Sequence, residues 1–153
     1  MHYFLRLHAL SQLFDEQLQR WGGSLVSLGL RLFIGWQFFK AGLIKVSDWS
    51  VTLSLFRDEY KVPVLPPEVA AVMGAGGELF LPVLLALGLF SRPAALGLLA
   101  VNAMAVISYP QLFQFECPAA INDHFYWGVC LLVLLVFGPG KLSVDEFLKA
   151  KRT

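Results

Sequence analysis

Charge is what this sequence has least of. Only 15% of its 153 residues are Asp, Glu, Lys or Arg, against about 25% in an ordinary soluble domain. With 57% of the chain apolar, a water-soluble fold of this size would lack the polar surface to cover its core. The net charge is +1, so nothing in the balance points to nucleic acid. Cysteine is scarce as well. Cys117 and Cys130 form no CxxC or CxxCH pattern, which excludes a disulfide framework and a thioredoxin-like redox pair. The three histidines have no metal-ligand spacing, so no metal site is expected. A haem with two axial histidines is not expected either, because only His124 lies near the apolar interior. The first twenty residues lack an uninterrupted apolar run ending in a small-residue cleavage site, so no cleaved signal peptide is expected.

What the chain has instead is long apolar segments. Four are expected to span a membrane, over residues 22–44, 68–90, 93–112 and 118–137. The fourth has only about 20 Å of uncharged helix unless it starts at Pro118, a favoured first-turn residue. Starting there brings Asp123 and His124 inside the helix. Ahead of the spans, Leu7, Leu10, Phe14, Leu18 and Trp21 recur at spacings of three and four. That pattern predicts an amphipathic helix, either on the membrane surface or packed on the bundle. The fold class is therefore all-α, one domain over 1–153: an integral membrane four-helix bundle with an N-terminal amphipathic helix.

The connections are unequal. Residues 46–67 read as a long loop that mixes Trp49, Phe56 and Tyr60 with charged residues and ends in Pro63, Pro66 and Pro67. The second and third spans meet through Ser91-Arg92-Pro93, which predicts an antiparallel hairpin. Gly138-Pro139-Gly140 ends the fourth. Loop cations set the orientation. Arg6, Arg20, Arg92, Lys141, Lys149, Lys151 and Arg152 fall on one side, and Lys45, Arg57 and Lys61 on the other. Both termini are expected in the cytoplasm, with 46–67 and the Cys117 loop outside.

Polar residues inside the spans are the site candidates. Counted at about 1.5 Å per residue, Arg31, Glu78 and Asn102 all fall near the bilayer midplane. Gly35, Phe38, Gly42 and Lys45 share the Arg31 face, and Ala71, Gly74 and Pro82 flank Glu78. Small residues beside a charge let helices approach and pair it away from lipid. A buried Arg31–Glu78 ion pair beside Asn102 is therefore expected, either as structural glue or as a substrate or proton site. Lys40, Asp123 and His124 form a second, outer polar group. Lys40 lies about 180° from Arg31 around its helix, and either snorkels to headgroups or meets a ligand there. Tyr126 and Trp127 read as interfacial belt residues, and Cys130 as inert packing.

Three segments together resemble the DoxX family of small four-helix bacterial membrane proteins: RLFIGWQFFKAGLIK at 31–45, GGELFLPVLLALGLFSRPAAL at 76–96 and HFYWGVCLLVLLVFGPGKLSVD at 124–145. Arg31, Gly42, Lys45, Glu78 and Arg92 match the family's pattern. The long 46–67 loop and the N-terminal extension depart from it. The resemblance implies a bacterial inner-membrane bundle that serves as a subunit of a quinone-linked redox system beside a partner redox protein, either alone or as a homo-oligomer. A quinone would enter between helices. Lys40, His124 and Asp123 are the expected catalytic group, with Lys40 and His124 as general acids. Arg31, Glu78 and Asn102 are the expected cofactor-binding layer. The alternatives are a non-catalytic scaffold or assembly factor docking through 46–67, and a small-solute permease.

Overall fold

The computed structural model describes residues 2–114 and 119–151. Cys117, Pro118 and Arg152 lie outside the described residues. Among the described residues every regular element is helical. Helix α1 covers His2–Gln17 and passes through a π-helical turn, Leu18–Gly22, into α2, Gly23–Ser47. Gly22 itself keeps helical torsions (φ −57, ψ −47), so the backbone does not break where the first span was expected to begin. After α2 come α3, Trp49–Asp58; α4, Pro67–Leu87; α5, Ser91–Ser108; a 3₁₀ turn, Pro110–Phe113; α6, Ala119–Phe137; and α7, Val144–Ala150.

Helices α2, α4, α5 and α6 form the bundle. Helix α2 packs most closely on α4, α4 on α5 and α5 on α6, while α6 returns to α2 over a looser contact. Helices α4, α5 and α6 are each long and apolar enough to cross a membrane. Helix α2, at about 37 Å, is longer still but carries Arg31, Lys40 and Lys45. The core between them is Ile34, Phe38, Leu85, Ala94, Ala95, Leu98, Leu131 and Leu134. Large apolar side chains cover the outside too, among them Leu32, Phe33, Trp36, Phe80, Leu87 and Val136. Apolar faces on both sides of a helix suit a bundle whose solvent is lipid.

Glycines set the register of α2 against α4. A Cβ at Gly35 would lie 3.3 Å from the Pro82 carbonyl oxygen, and one at Gly42 would lie 3.1 Å from the Glu78 backbone carbon. The two backbones touch at these points, which a larger side chain would prevent. Arg31 consequently faces Ala86, not Glu78.

Charges cap the helices at the end of the bundle that carries the α4–α5 turn. Arg31, fully buried, donates from Nη1 to the Ala86 carbonyl at 3.1 Å and from Nη2 to the Leu142 carbonyl. Arg92 donates to the carbonyls of Leu135 and Val136 in the last turn of α6. Asp145 accepts from the backbone N–H groups of Phe90 and Ser91, both at 2.9 Å, at the start of α5. Cations at C-termini and an anion at an N-terminus each oppose the local helix dipole and satisfy groups the helix leaves open. The link Gly88-Leu89-Phe90 is tight enough to need left-handed torsions at Gly88 (φ 71) and Phe90 (φ 48).

At the other end, the expected loop 46–67 contains α3. Asp48 caps it, accepting from Val51 N at 3.0 Å and from the Ser50 hydroxyl at 2.7 Å. An Asp followed by residues able to place Thr52 and Phe56 on one face is an N-terminal helix signal, and reading 46–67 as loop overlooked it. Thr52 Oγ1 donates to the Lys45 carbonyl, which folds α3 back from α2. Phe56 then buries against Ala70 and Ala71, with Leu53, Tyr60, Val62 and Leu65 around them. Helix α3 and the chain after it thus form a lid on the bundle. Helix α1 leaves its apolar stripe exposed, with Tyr3, Leu7, Leu10 and Phe14 each more than half exposed.

Candidate functional site

Under the lid lies a cavity of about 520 Å³. Helices α2, α4, α5 and α6 all contribute to its wall, together with Phe56, Tyr60, Val62 and Leu65 from the lid. Most of the wall is apolar: Phe38, Met73, Val101, Met104, Ala105, Leu112 and Trp127. Its polar groups are few: Gln37, Tyr60, Ser108 and Tyr109 beside two bonded pairs, of which Lys45, Glu78 and His124 reach the wall, the pattern expected of a site for an amphipathic small molecule.

The first pair is Lys45 with Glu78. Lys45 Nζ lies 2.9 Å from one Glu78 oxygen and 2.6 Å from the other. The side chains keep only 21% and 9% of their exposure. An ammonium has three N–H donors. Two go to the carboxylate, and the third has no partner among the described residues.

The second pair is His124 with Asn102. Asn102 Nδ2 donates to the His124 backbone carbonyl at 2.8 Å. That fixes the amide so that Oδ1 faces the imidazole, 2.8 Å from Nδ1. Because Oδ1 only accepts, Nδ1 carries the hydrogen it donates to Asn102; when the ring is neutral, Nε2 is then an acceptor, and it has no partner among the described residues. Trp127 packs edge-on against the imidazole at 5.0 Å and against Phe38 at 5.7 Å. Trp127 is thus a wall of the cavity and not the interfacial belt residue expected of it, whereas Tyr126 is exposed.

On the lid, Phe56, Tyr60 and Tyr109 form a chain of edge-to-face contacts, at 4.9 and 5.3 Å. Burial pushes the Tyr60 phenol above its ordinary range, with the neighbouring Tyr109 and Glu78 adding to the shift. Tyr60 therefore stays a neutral hydroxyl at neutral pH. These ring contacts turn Phe56 and Tyr60 inward, while Trp49 on the same lid stays exposed.

Several expected groupings do not form. Arg31 does not meet Glu78, because the glycine contacts shift α2 along α4 by about two turns from the depth count. Glu78 takes Lys45 instead, and Asn102 takes His124. The expected layer of Arg31, Glu78 and Asn102 is therefore divided between two ends of the bundle. Between them lies the dry core, with Ile34, Leu85, Leu98 and Leu131 fully buried. Lys40 points outward and bonds Gln37 on its own helix at 3.2 Å. Asp123 is exposed. Among the described residues no hydrogen bond or ion pair joins Lys40 to Asp123 or His124, so His124 alone of that group lines the cavity. Lys45 is the residue the site reading missed. The signal was present: Lys45 shares the inward face of Gly35, Phe38 and Gly42, whereas Lys40 does not. Cys130 is a free, half-buried thiol beside the core, as its apolar surroundings suggest.

A family profile described as DoxX matches residues 26–110, which includes the α2 and α4 residues of the cavity. An uncharacterized protein of Haemophilus influenzae is 30% identical over 140 residues, spanning 88% of this chain and 91% of that protein. No solved structure is a significant match.

Proposed function

The chain belongs to the DoxX family, and from that premise we propose that its cavity binds a quinone-type ring, the protein serving as membrane subunit of a quinone-linked redox system. The observation that carries this reading is the pairing of an apolar, aromatic-walled cavity with one cationic donor and one imidazole acceptor. Quinone oxygens gain negative charge on reduction, and the third Lys45 N–H is available to stabilise that charge. His124 Nε2 accepts a hydrogen from the hydroxyl of the reduced ring, with Asn102 holding the imidazole in position. Lys45 thus takes the role first expected of Lys40. These side chains supply charge, hydrogen bonds and protons. Electrons come from a partner redox protein.

The setting is the bacterial inner membrane. Arg6, Arg20, Arg92, Lys141, Lys149 and Lys151 toward the α4–α5 turn, against Arg57 and Lys61 on the lid, support cytoplasmic termini. The lid would then face the periplasm. A reporter fused after Thr153 and active only in the periplasm would reverse this orientation.

The binding test uses full-length protein in lipid nanodiscs, titrated with menadione by calorimetry. Saturable binding is expected, weakened by the Lys45→Met/Glu78→Gln double change and unaffected by Lys40→Met, while His124→Phe should weaken binding of the reduced form, menadiol, whose hydroxyl Nε2 accepts, more than that of menadione. Absence of saturable binding to the parent protein would overturn the reading and leave the scaffold role in its place.

A further inference from the structure

Ser108, the last residue of α5, is 4% exposed, and its Oγ has no hydrogen-bond partner. It lines the cavity. Ser91 Oγ and Arg31 Nε are also buried without partners, but neither residue borders the cavity. An unpaired buried hydroxyl is unfavourable wherever it occurs. Gln111 Oε1 is likewise unpartnered and off the cavity, so among the described residues Ser108 alone has the cavity beside it, with space for a second molecule to supply the missing bond.

Its position gives that bond a geometry. Val101, Met104, Ala105 and Ser108 share one face of α5 toward the cavity. Asn102, which holds His124, lies six residues earlier on the same helix, about 9 Å along the axis. The cavity therefore has polar groups at two levels. Lys45 and His124 occupy the deeper one and Ser108 the one beneath the lid, with apolar wall between. The Ser108 carbonyl also accepts the Lys61 backbone N–H at 2.8 Å, so the lid closes on this same residue.

We propose that Ser108 is the second hydrogen-bonding contact of the cavity ligand, and that the ligand is consequently a ring with two opposed oxygen functions, one held by Lys45, with His124 joining when that oxygen is a hydroxyl, and the other by Ser108. This rests on the reading of the cavity as a quinone site. It adds that a ring with a single carbonyl is the poorer ligand, and that the hydroxyl of Ser108 makes the difference.

The experiment crosses a residue with a ligand function. Full-length parent, Ser108→Ala and Ser108→Thr proteins in nanodiscs are titrated with menadione, which has two opposed carbonyls, and with alpha-tetralone, a two-ring ketone with one. The parent is expected to prefer menadione. Ser108→Ala should weaken menadione by about 5- to 10-fold, the loss of one neutral hydrogen bond, and leave alpha-tetralone unchanged. Ser108→Thr, which keeps the hydroxyl, should restore menadione binding. Melting temperatures of the three proteins establish that the fold is common to them. Equal weakening of both probes would assign Ser108 to packing, and no weakening of either would leave its hydroxyl to water. Either result overturns the proposal while the quinone site stands. A parent that binds neither probe removes the site itself and the Ser108 contact with it.

Discussion

Lys45 holds both carboxylate oxygens of Glu78, at 2.9 and 2.6 Å, across the interface of α2 and α4. The pair lies beside a close approach of the two backbones, since Gly42 lies against Glu78 and Leu79. It is therefore both a cross-brace between the two helices and part of the cavity wall.

The energetic consequence is a coupling between these two residues. Removing one partner of a buried pair costs about 3–5 kcal/mol, because the other charge is left without compensation. Lys45 retains a fifth of its exposure, which places the expected loss toward the lower end. Lys45→Met and Glu78→Gln should each lower the melting temperature, and the double change should recover part of the loss. Arg31 and Glu78, which do not touch, should give additive losses. A coupling between Arg31 and Glu78, or additivity between Lys45 and Glu78, would contradict this register.

Arg31 makes a different prediction. Its charge is met by the carbonyl end of α4 and by the Leu142 carbonyl, reached from two nitrogens of one planar group. A lysine at this position offers one ammonium and cannot reproduce that fork. Arg31→Lys should therefore lose most of what Arg31→Met loses in thermal stability, with little change in menadione affinity, because the core layer of Ile34 and Leu98 separates Arg31 from the cavity. A strong effect of Arg31→Lys on binding with stability preserved would place Arg31 in the site.

Much of this was legible in the sequence, for reasons that particular residues make plain. The apolar runs fixed four long helices, because helices alone satisfy their own backbone in lipid. The 3.6-residue period correctly placed Gly35, Phe38, Gly42 and Lys45 on one inward face and Lys40 on the other. Axial register was not legible. Depth counting needs the true start of each helix, and α2 has no break at Gly22 to mark one. An error of two turns exchanged Glu78's partner from Lys45 to Arg31. The lid was missed because Asp48 was read as a loop charge and not as the cap of a helix. The His124–Asn102 bond joins α6 to α5, and without the register no spacing in the sequence could pair them.

Two glycines, one on α2 and one on α4, separate close approach from simple absence of a side chain. A Cβ at Gly42 would meet Leu79 at 2.9 Å, whereas nothing lies within 4 Å of one at Gly76. Gly42→Ala should push α2 from α4, lengthening the Lys45–Glu78 contact and lowering the melting temperature. Gly76→Ala should be neutral or stabilising by up to about 1 kcal/mol, because alanine is the better helix former. Equal effects of the two substitutions would show that α2 and α4 do not touch at Gly42.

The lid makes the pH-dependent prediction. Asp48 accepts from Val51 N first and from the Ser50 hydroxyl second, and these bonds hold its carboxyl below the ordinary aspartate range. A carboxyl whose native pKa is lowered contributes stability that is complete above the unfolded value, near about 3.9, and is lost as pH falls through the native one. Below that point the protonated acid caps α3 less well, and the lid should open from its α2 end. Glu68, bonded to Arg57 at the far end of α3, titrates as a second acid on the same element, so acid opening alone does not identify Asp48. Asp48→Asn does. Asparagine caps a helix about as well as aspartate but has no proton to gain. Hydrogen-exchange protection of the α3 amides, normalised for intrinsic rate, should fall in acid for the parent and fall less for Asp48→Asn. Asp48→Ala should be poorly protected at every pH. Menadione, bound beneath the lid, should raise protection in the parent at neutral pH. If Asp48→Asn loses protection in acid as fully as the parent does, Glu68 and not the cap controls the lid.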